Sequence, residues 1–206
     1  MNRAFTSQGV ERMILLLICA PRAAVDPRVV ACPGWLLSYN AAYSMQQKRS
    51  PMTHSLRIEV DQSGKIETSH LTALAYANGQ QYAIVIPTRV KREVIGRLRA
   101  RGLSRSQAAI HVFAAALWLL LRDVIDLATD IAIDTEYIGH EASIKAELVQ
   151  LAVDAGAKIA PNVIWFTQIG KKSGAHRRAI EVYRGERPAD RVIMLSELAV
   201  LLRKKK

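Results

Sequence analysis

The hydrophobic period of this sequence changes at Pro87, and that change constrains the order in which its elements form. Before Pro87, Leu56, Ile58 and Val60 alternate with Arg57, Glu59 and Asp61, the pattern of a strand with one buried face. Gln62-Ser63-Gly64-Lys65 supplies a turn, and a second strand is predicted over residues 66–77. Asn78-Gly79 is the strongest short hairpin signal in the chain, because both residue types accept positive φ. A third strand at residues 81–86 stops at Pro87, which has no N–H to offer a ladder.

After Pro87 the spacing becomes helical. Val90, Val94, Ile95 and Leu98 share one face, while Lys91, Arg92, Arg97, Arg99 and Arg101 lie mostly elsewhere, and Gly102 supplies a stop. Ser104 caps a second helix whose run 108–121 is apolar almost all round, which predicts deep burial rather than a membrane span. His111 within it reads as a packed core histidine. A short strand at 131–134 leads into Thr135-Glu136-Tyr137, and a helix follows over 140–155, closed by Gly156. Residues 162–168 read as a strand apolar enough for a central place in a sheet covered on both faces. A turn at 170–174, a helix at 175–183, a short extended stretch at 191–195 and a helix at 197–202 capped by Ser196 complete the chain. The expected fold is α/β: an antiparallel three-stranded meander, then alternating helices and strands, in a mixed five-stranded sheet with helices on its faces. Right-handed crossovers allow the fourth strand to lie parallel to the first and beside it.

Residues 1–51 show neither period. They hold both cysteines, Cys19 and Cys32, four of the seven prolines, and six basic residues against two acidic ones. The apolar run 13–20 is either the core of a signal peptide or part of a segment upstream of a true start at Met52; the second reading is favoured, since pattern begins there. The domain is accordingly expected over 52–206. Two scattered cysteines without CxxC or Cys/His spacing point to neither a metal nor a redox site, and suit a reducing cytoplasm. The whole chain carries 29 Lys+Arg against 18 Asp+Glu, a formal charge of +11, which suggests a polyanionic partner, nucleic acid first, or else simple solubility. No membrane partner is expected, and a dimer is left open.

The chemistry-bearing residues are acids at strand ends. Asp61 closes the first strand on the phase opposite Leu56, Ile58 and Val60, and Asp134 closes the fourth opposite Ile131 and Ile133. In neighbouring parallel strands both carboxylates emerge at one sheet edge, where they either hold a hard divalent cation, Mg²⁺ or Mn²⁺, or merely open loops. Glu136 shares the phase of Asp134 and adds a third oxygen donor. Lys171, Lys172, Arg177 and Arg178, with Ser173 and the Gly170 and Gly174 backbone, form either a phosphate-binding rim or a solvated turn. Walker A, GxSxG and HExxH patterns are absent, and His140-Glu141 is only half of the last, better read as a helix start.

The run LRIEVDQSGKIE, with an acid ending a first strand before a tight hairpin, and the second acid in IAIDTEY resemble the ribonuclease H-like superfamily over roughly residues 55–185. Its members are mostly metal-dependent nucleases, resolvases, integrases and transposases. The resemblance implies Asp61 and Asp134 as the two central metal ligands. It also implies a last catalytic group on the helix after the fifth strand, an acid in many members and a histidine in Holliday-junction resolvases; here IGKKSGAHRRAIEVYRG offers His176 and, further along, Glu181. Ala179 stands where the resolvases usually carry an aspartate, and only Glu93 or Glu67 could supply an acid from the first helix or second strand. Two functions follow: a Mg²⁺- or Mn²⁺-dependent nuclease on DNA or RNA, including structured or branched substrates, with Asp61, Asp134, Glu136 and His176 at its centre; or a catalytically inactive ribonuclease H-like module that binds nucleic acid or serves assembly.

Overall fold

The computed structural model describes residues 56–203. The expected extension at 1–51, the start at Met52 and the last three lysines lie outside the described residues. Six strands form one sheet: β1 (Leu56–Ser63), β2 (Thr72–Ala77), β3 (Gln81–Ile86), β4 (Ala128–Asp134), β5 (Ile164–Thr167) and β6 (Arg191–Val192). Among the described residues five α-helices accompany them: α1 (Thr88–Ala100), α2 (Arg105–Leu121), α3 (Glu141–Asp154), α4 (Gly174–Arg184) and α5 (Leu195–Leu201). The strand order is β5-β4-β1-β2-β3-β6. β1, β2 and β3 are antiparallel neighbours, and β4 runs parallel to β1 and beside it.

The sheet has six strands rather than the expected five, because Arg191–Val192 pairs in parallel with Ile84 and Val85 of β3. β2 starts at Thr72, not residue 66. The Ile66 side chain is fully buried, but its backbone belongs to a turn in which the Thr68 N–H donates to the Lys65 carbonyl at 3.2 Å. β5 is shorter than expected and forms the sheet edge, not a central strand. Its apolar residues are explained by one face alone: Ile164 is buried while Trp165 is exposed.

Side-chain alternation sends Ile58 and Val60 of β1, Leu74 of β2, Ile84 and Ile86 of β3, Ile131 and Ile133 of β4 and Ile164 of β5 into one large core. The nearly all-apolar α2 fills that core, with thirteen of its seventeen residues buried, as a helix apolar on every side requires. Its start is fixed by a capping box, Ser104 with Gln107, which satisfies N–H groups that the first turn cannot. His111 is not a core residue: it lies half-exposed at the edge of α2, 2.7 Å from Glu147 of α3. No helix among the described residues is long and apolar enough to cross a membrane.

The opposite sheet face carries a much smaller core. Ala73 and Ala75 of β2 and Ala83 of β3 pack against Ala179 and Val182 of α4. Four alanines in five positions let α4 sit close to the strands, and that close approach sets where its N-terminal turn falls.

α1 corrects the simple two-face reading of its sequence. Lys91 is buried, 1 % exposed, and donates from Nζ to the Lys65 carbonyl at 2.9 Å and to Thr72 Oγ1 at 2.8 Å. Burial lowers its pKa to about 8. Ser196 likewise falls inside α5 rather than capping it, and the Met194 N–H is taken by Glu197 Oε2 at 2.8 Å.

Candidate metal centre

Strand pleat and register place the acids. Val60 pairs with Ile133 in the parallel β1–β4 ladder, so the next residues, Asp61 and Asp134, lie side by side on the face opposite the large core. Asp134 ends β4 as expected. Asp61 does not end β1, which continues to Ser63 with Asp61 opposite Ala75 of β2. It is therefore held within a ladder and is 3 % exposed. Glu136 lies two residues beyond Asp134, where the Glu136 N–H donates to the Asp134 carbonyl at 3.0 Å. One carboxylate oxygen from each of Asp61, Asp134 and Glu136 falls within 4.8 Å of the other two.

His176 joins them from above. Ser173 caps α4, accepting from the Ala175 N–H at 3.1 Å, and its hydroxyl donates to Glu59 Oε2 on β1 at 2.7 Å. That contact pins the first turn of α4 over β1 and brings His176 Nδ1 to 2.6 Å from Asp61 Oδ2. Asp61 Oδ1 accepts the Gln62 N–H at 2.7 Å, and Asp134 Oδ1 accepts the Ile169 N–H at 2.6 Å. Each aspartate is thus oriented by a backbone donor.

The electrostatics are those of an under-compensated acidic site. Burial raises the Asp61 pKa above its ordinary value, with Asp134 adding to the rise, while the Gln62 N–H and His176 oppose it. Burial also raises Glu136; Lys65 opposes this, and Asp134, Asp61 and Glu67 reinforce it. Lys65 Nζ stands 3.8 Å from Glu136 Oε2 but is half-exposed. Three converging carboxylates with one solvated ammonium fit a hard divalent cation such as Mg²⁺ or Mn²⁺, which prefers oxygen donors. The residues present therefore suit the ion that the sequence led us to expect.

The other expected residues divide. Lys171, Lys172 and Arg177 are exposed beside the α4 N-terminus, where a rim would need them. Arg178 is not on the rim: it is 1 % exposed, donating to Asp190 Oδ2 and to the Pro188 carbonyl, both at 2.8 Å. One residue after Arg177, and so about 100° further round the helix, it shares the buried face of α4 with Ala175, Ala179 and Val182. Ser173 is likewise committed to Glu59 and its cap. Glu93 is exposed on α1 and pairs with Arg97 at 2.9 Å, and Glu181 pairs with Arg187 at 3.7 Å; neither belongs to the cluster. Glu67 is outside β2 and accepts from the Tyr137 hydroxyl at 3.1 Å. Ala179 is fully buried among the alanines of the small core. Neither Lys65 nor the Ile169 N–H stands out from residue pattern alone, although Lys65 lies in the turn directly after Asp61's strand.

No family model, no curated protein and no solved structure matches this chain.

Proposed function

We propose that this protein is a metal-dependent nuclease of ribonuclease H-like architecture that hydrolyses phosphodiester bonds of DNA or RNA. The observation that carries the reading is the convergence of Asp61, Asp134 and Glu136 within 4.8 Å, with His176 bonded to Asp61 at 2.6 Å. The antiparallel meander followed by a parallel β4 beside β1 is the arrangement that the resemblance calls for, and it is what sets the two aspartates side by side.

Asp61, Asp134 and Glu136 would hold Mg²⁺ or Mn²⁺. When bound, such ions lower the pKa of a coordinated water and stabilise the leaving oxygen of a phosphodiester. The chain's own groups do the rest. The Gln62 N–H occupies Asp61 Oδ1 and the Ile169 N–H occupies Asp134 Oδ1, so Asp134 Oδ2 is left for the centre while Asp61 Oδ2 is shared with His176. His176 holds Asp61 through Nδ1 and has Nε2 left to take or give a proton. Lys171, Lys172 and Arg177 would receive phosphates flanking the scissile bond without reading sequence.

The test is a nicking assay on single-stranded, duplex, hybrid and four-way-junction substrates in Mg²⁺ and Mn²⁺, beside thermal melts with and without each ion. Hydrolysis is expected in the wild type and lost by at least about 100-fold in Asp61→Asn and Asp134→Asn, as for removal of groups acting on the transition state. Both variants should also lose the rise in melting temperature that the ion produces. Hydrolysis surviving in both variants would exclude this centre. An ion-dependent rise with no hydrolysis of any substrate would favour the inactive, nucleic-acid-binding module.

A further inference from the structure

We propose that Trp165 is a stacking platform for an unpaired nucleobase, so that the nucleic acid reaching the acidic centre is single-stranded or locally opened rather than a continuous duplex. The inference deepens the nuclease reading and rests on it for its purpose, though not for its evidence.

The register places the indole. Ala132 pairs with Trp165 and Asp134 with Thr167 in the β4–β5 ladder, while Arg57 pairs with Asp130 and Glu59 with Ala132 in the β1–β4 ladder. Alternation then puts Arg57, Asp130 and Trp165 on the face that carries Asp61 and Asp134. Trp165 stands two residues before Thr167, roughly 7 Å along the strand direction from the level of Asp134. On this face α4 packs against β1, β2 and β3, and Trp165 on β5 remains 37 % exposed.

An exposed indole on an edge strand needs no function by itself, but this one is held. Its Nε1 donates to Asp130 Oδ1, and the Arg57 guanidinium lies over the ring, 5.9 Å from its centroid. Arg57 Nε is also 3.4 Å from Asp130 Oδ2, so the carboxylate next to the ring is offset by a guanidinium. The ring is thus fixed at its polar edge and on one face before anything binds, which lowers the ordering cost of stacking on its remaining surface. Any base has a π-face for such a platform, and the affinity gained is tolerant of sequence. The charge on this side of the sheet suits a phosphate backbone: Lys171, Lys172 and Arg177 are exposed on the segment that follows β5. A base inside a duplex cannot use the indole without leaving its stack, which costs a few kcal/mol.

The experiment measures binding of the full chain, in EDTA, to a labelled short oligothymidylate and to its duplex with oligodeoxyadenylate. We expect the single strand to bind more tightly than the duplex. Trp165→Ala should weaken single-strand binding roughly 10-fold or more, Trp165→Phe should keep most of it, and the ion-dependent rise in melting temperature should persist in both. Should the alanine variant fail to fold, Trp165→Leu, apolar but without a π-face, takes its place with the same expectation. Equal single-strand affinity in wild type and alanine or leucine variant, or a preference for duplex, overturns the proposal. Because metal is absent and hydrolysis is not read, a lost platform with cleavage intact rejects this inference alone. An intact platform without cleavage rejects the nuclease reading alone.

Discussion

At the scale of single residues, the partner that each charged side chain meets decides whether it serves the fold or faces solvent. Asp61, Asp134 and Glu136 were legible because strand period fixes the face of a side chain, and two parallel neighbours then share an edge. Lys91 and Arg178 were not legible. A lysine or arginine in an amphipathic helix looks like a solvated residue until a specific partner is known, and here the partners are a loop carbonyl and Thr72 for Lys91, and Asp190 for Arg178. His111 was misplaced for the converse reason: an apolar run around it suggested the core, but its ring leaves α2 at the margin facing Glu147. That contact has a pH signature. The hydrogen bond to Glu147 raises the His111 pKa above 6.5, against a burial cost and the repulsion of Arg101. A histidine whose folded pKa exceeds its unfolded one stabilises the fold fully below the unfolded value, and loses that contribution as pH rises through the folded value. Urea melts of wild type and Glu147→Gln should therefore differ most below the unfolded value of about 6.5 and converge as pH rises through the folded value, with the wild type the more stable at low pH. The pair is part-exposed, so the difference at low pH should be small, about 1 kcal/mol or less.

At the scale of elements, helix and strand types were mostly readable, while ends and neighbours were less so. The change of period at Pro87 separates the meander from the helices as expected. The start of β2 was missed because Ile66 is apolar and in phase, yet serves as a plug beneath a turn rather than as a rung. That turn depends on Gly64, whose φ is +76°. A Cβ there would lie 2.4 Å from the Tyr183 ring of α4 and 2.6 Å from the Leu71 carbonyl. Gly79 in the β2–β3 turn has φ +93° but nothing within 4 Å of its would-be Cβ. The two positions separate backbone strain from steric conflict. Gly79→Ala should cost about 1 to 2 kcal/mol, the left-handed penalty alone. Gly64→Ala should cost at least about 1 kcal/mol more, because the Leu71 carbonyl and the Tyr183 ring must both give way. Equal losses in urea denaturation would show that both neighbours yield freely. A shift of α4 would also lengthen the His176–Asp61 contact, so the variant tests how firmly that helix holds the centre.

At the scale of the whole molecule, the sequence predicted a mixed α/β sheet, and the structure adds a sixth strand, reverses the place of β5 from centre to edge, and divides the two faces unequally. The unequal division could not be read beforehand, since alanines at 73, 75 and 83 signal neither an exposed nor a deeply covered face until α4 is seen against them. It also divides the basic charge. Among the residues first grouped as a rim, Lys171, Lys172 and Arg177 stay exposed and Arg178 does not. Salt titrations of single-strand binding should reflect this. Each phosphate contact on a single strand contributes about 0.7 to the slope of log affinity against log salt, so Lys171→Ala/Lys172→Ala should flatten the slope by up to about 1.4. An unchanged slope would remove the two lysines from the interface.

The sixth strand has a consequence for how this protein shares a crowded solution with copies of itself. β3 reads QYAIVI, uncharged and apolar, the composition that recruits a neighbouring chain when its backbone is bare. β6 is only two residues long, yet it and its flanks occupy the outer edge of β3. The Asp190 carboxylate accepts the Ala83 N–H at 2.7 Å, the Asp190 N–H donates to the Ala83 carbonyl, and the Ile193 N–H donates to the Val85 carbonyl, both at 2.9 Å. Asp190 is in turn held by the buried Arg178. Arg178, buried and so not free for a polyanion, thus helps hold in place the short segment that covers the outer edge of β3.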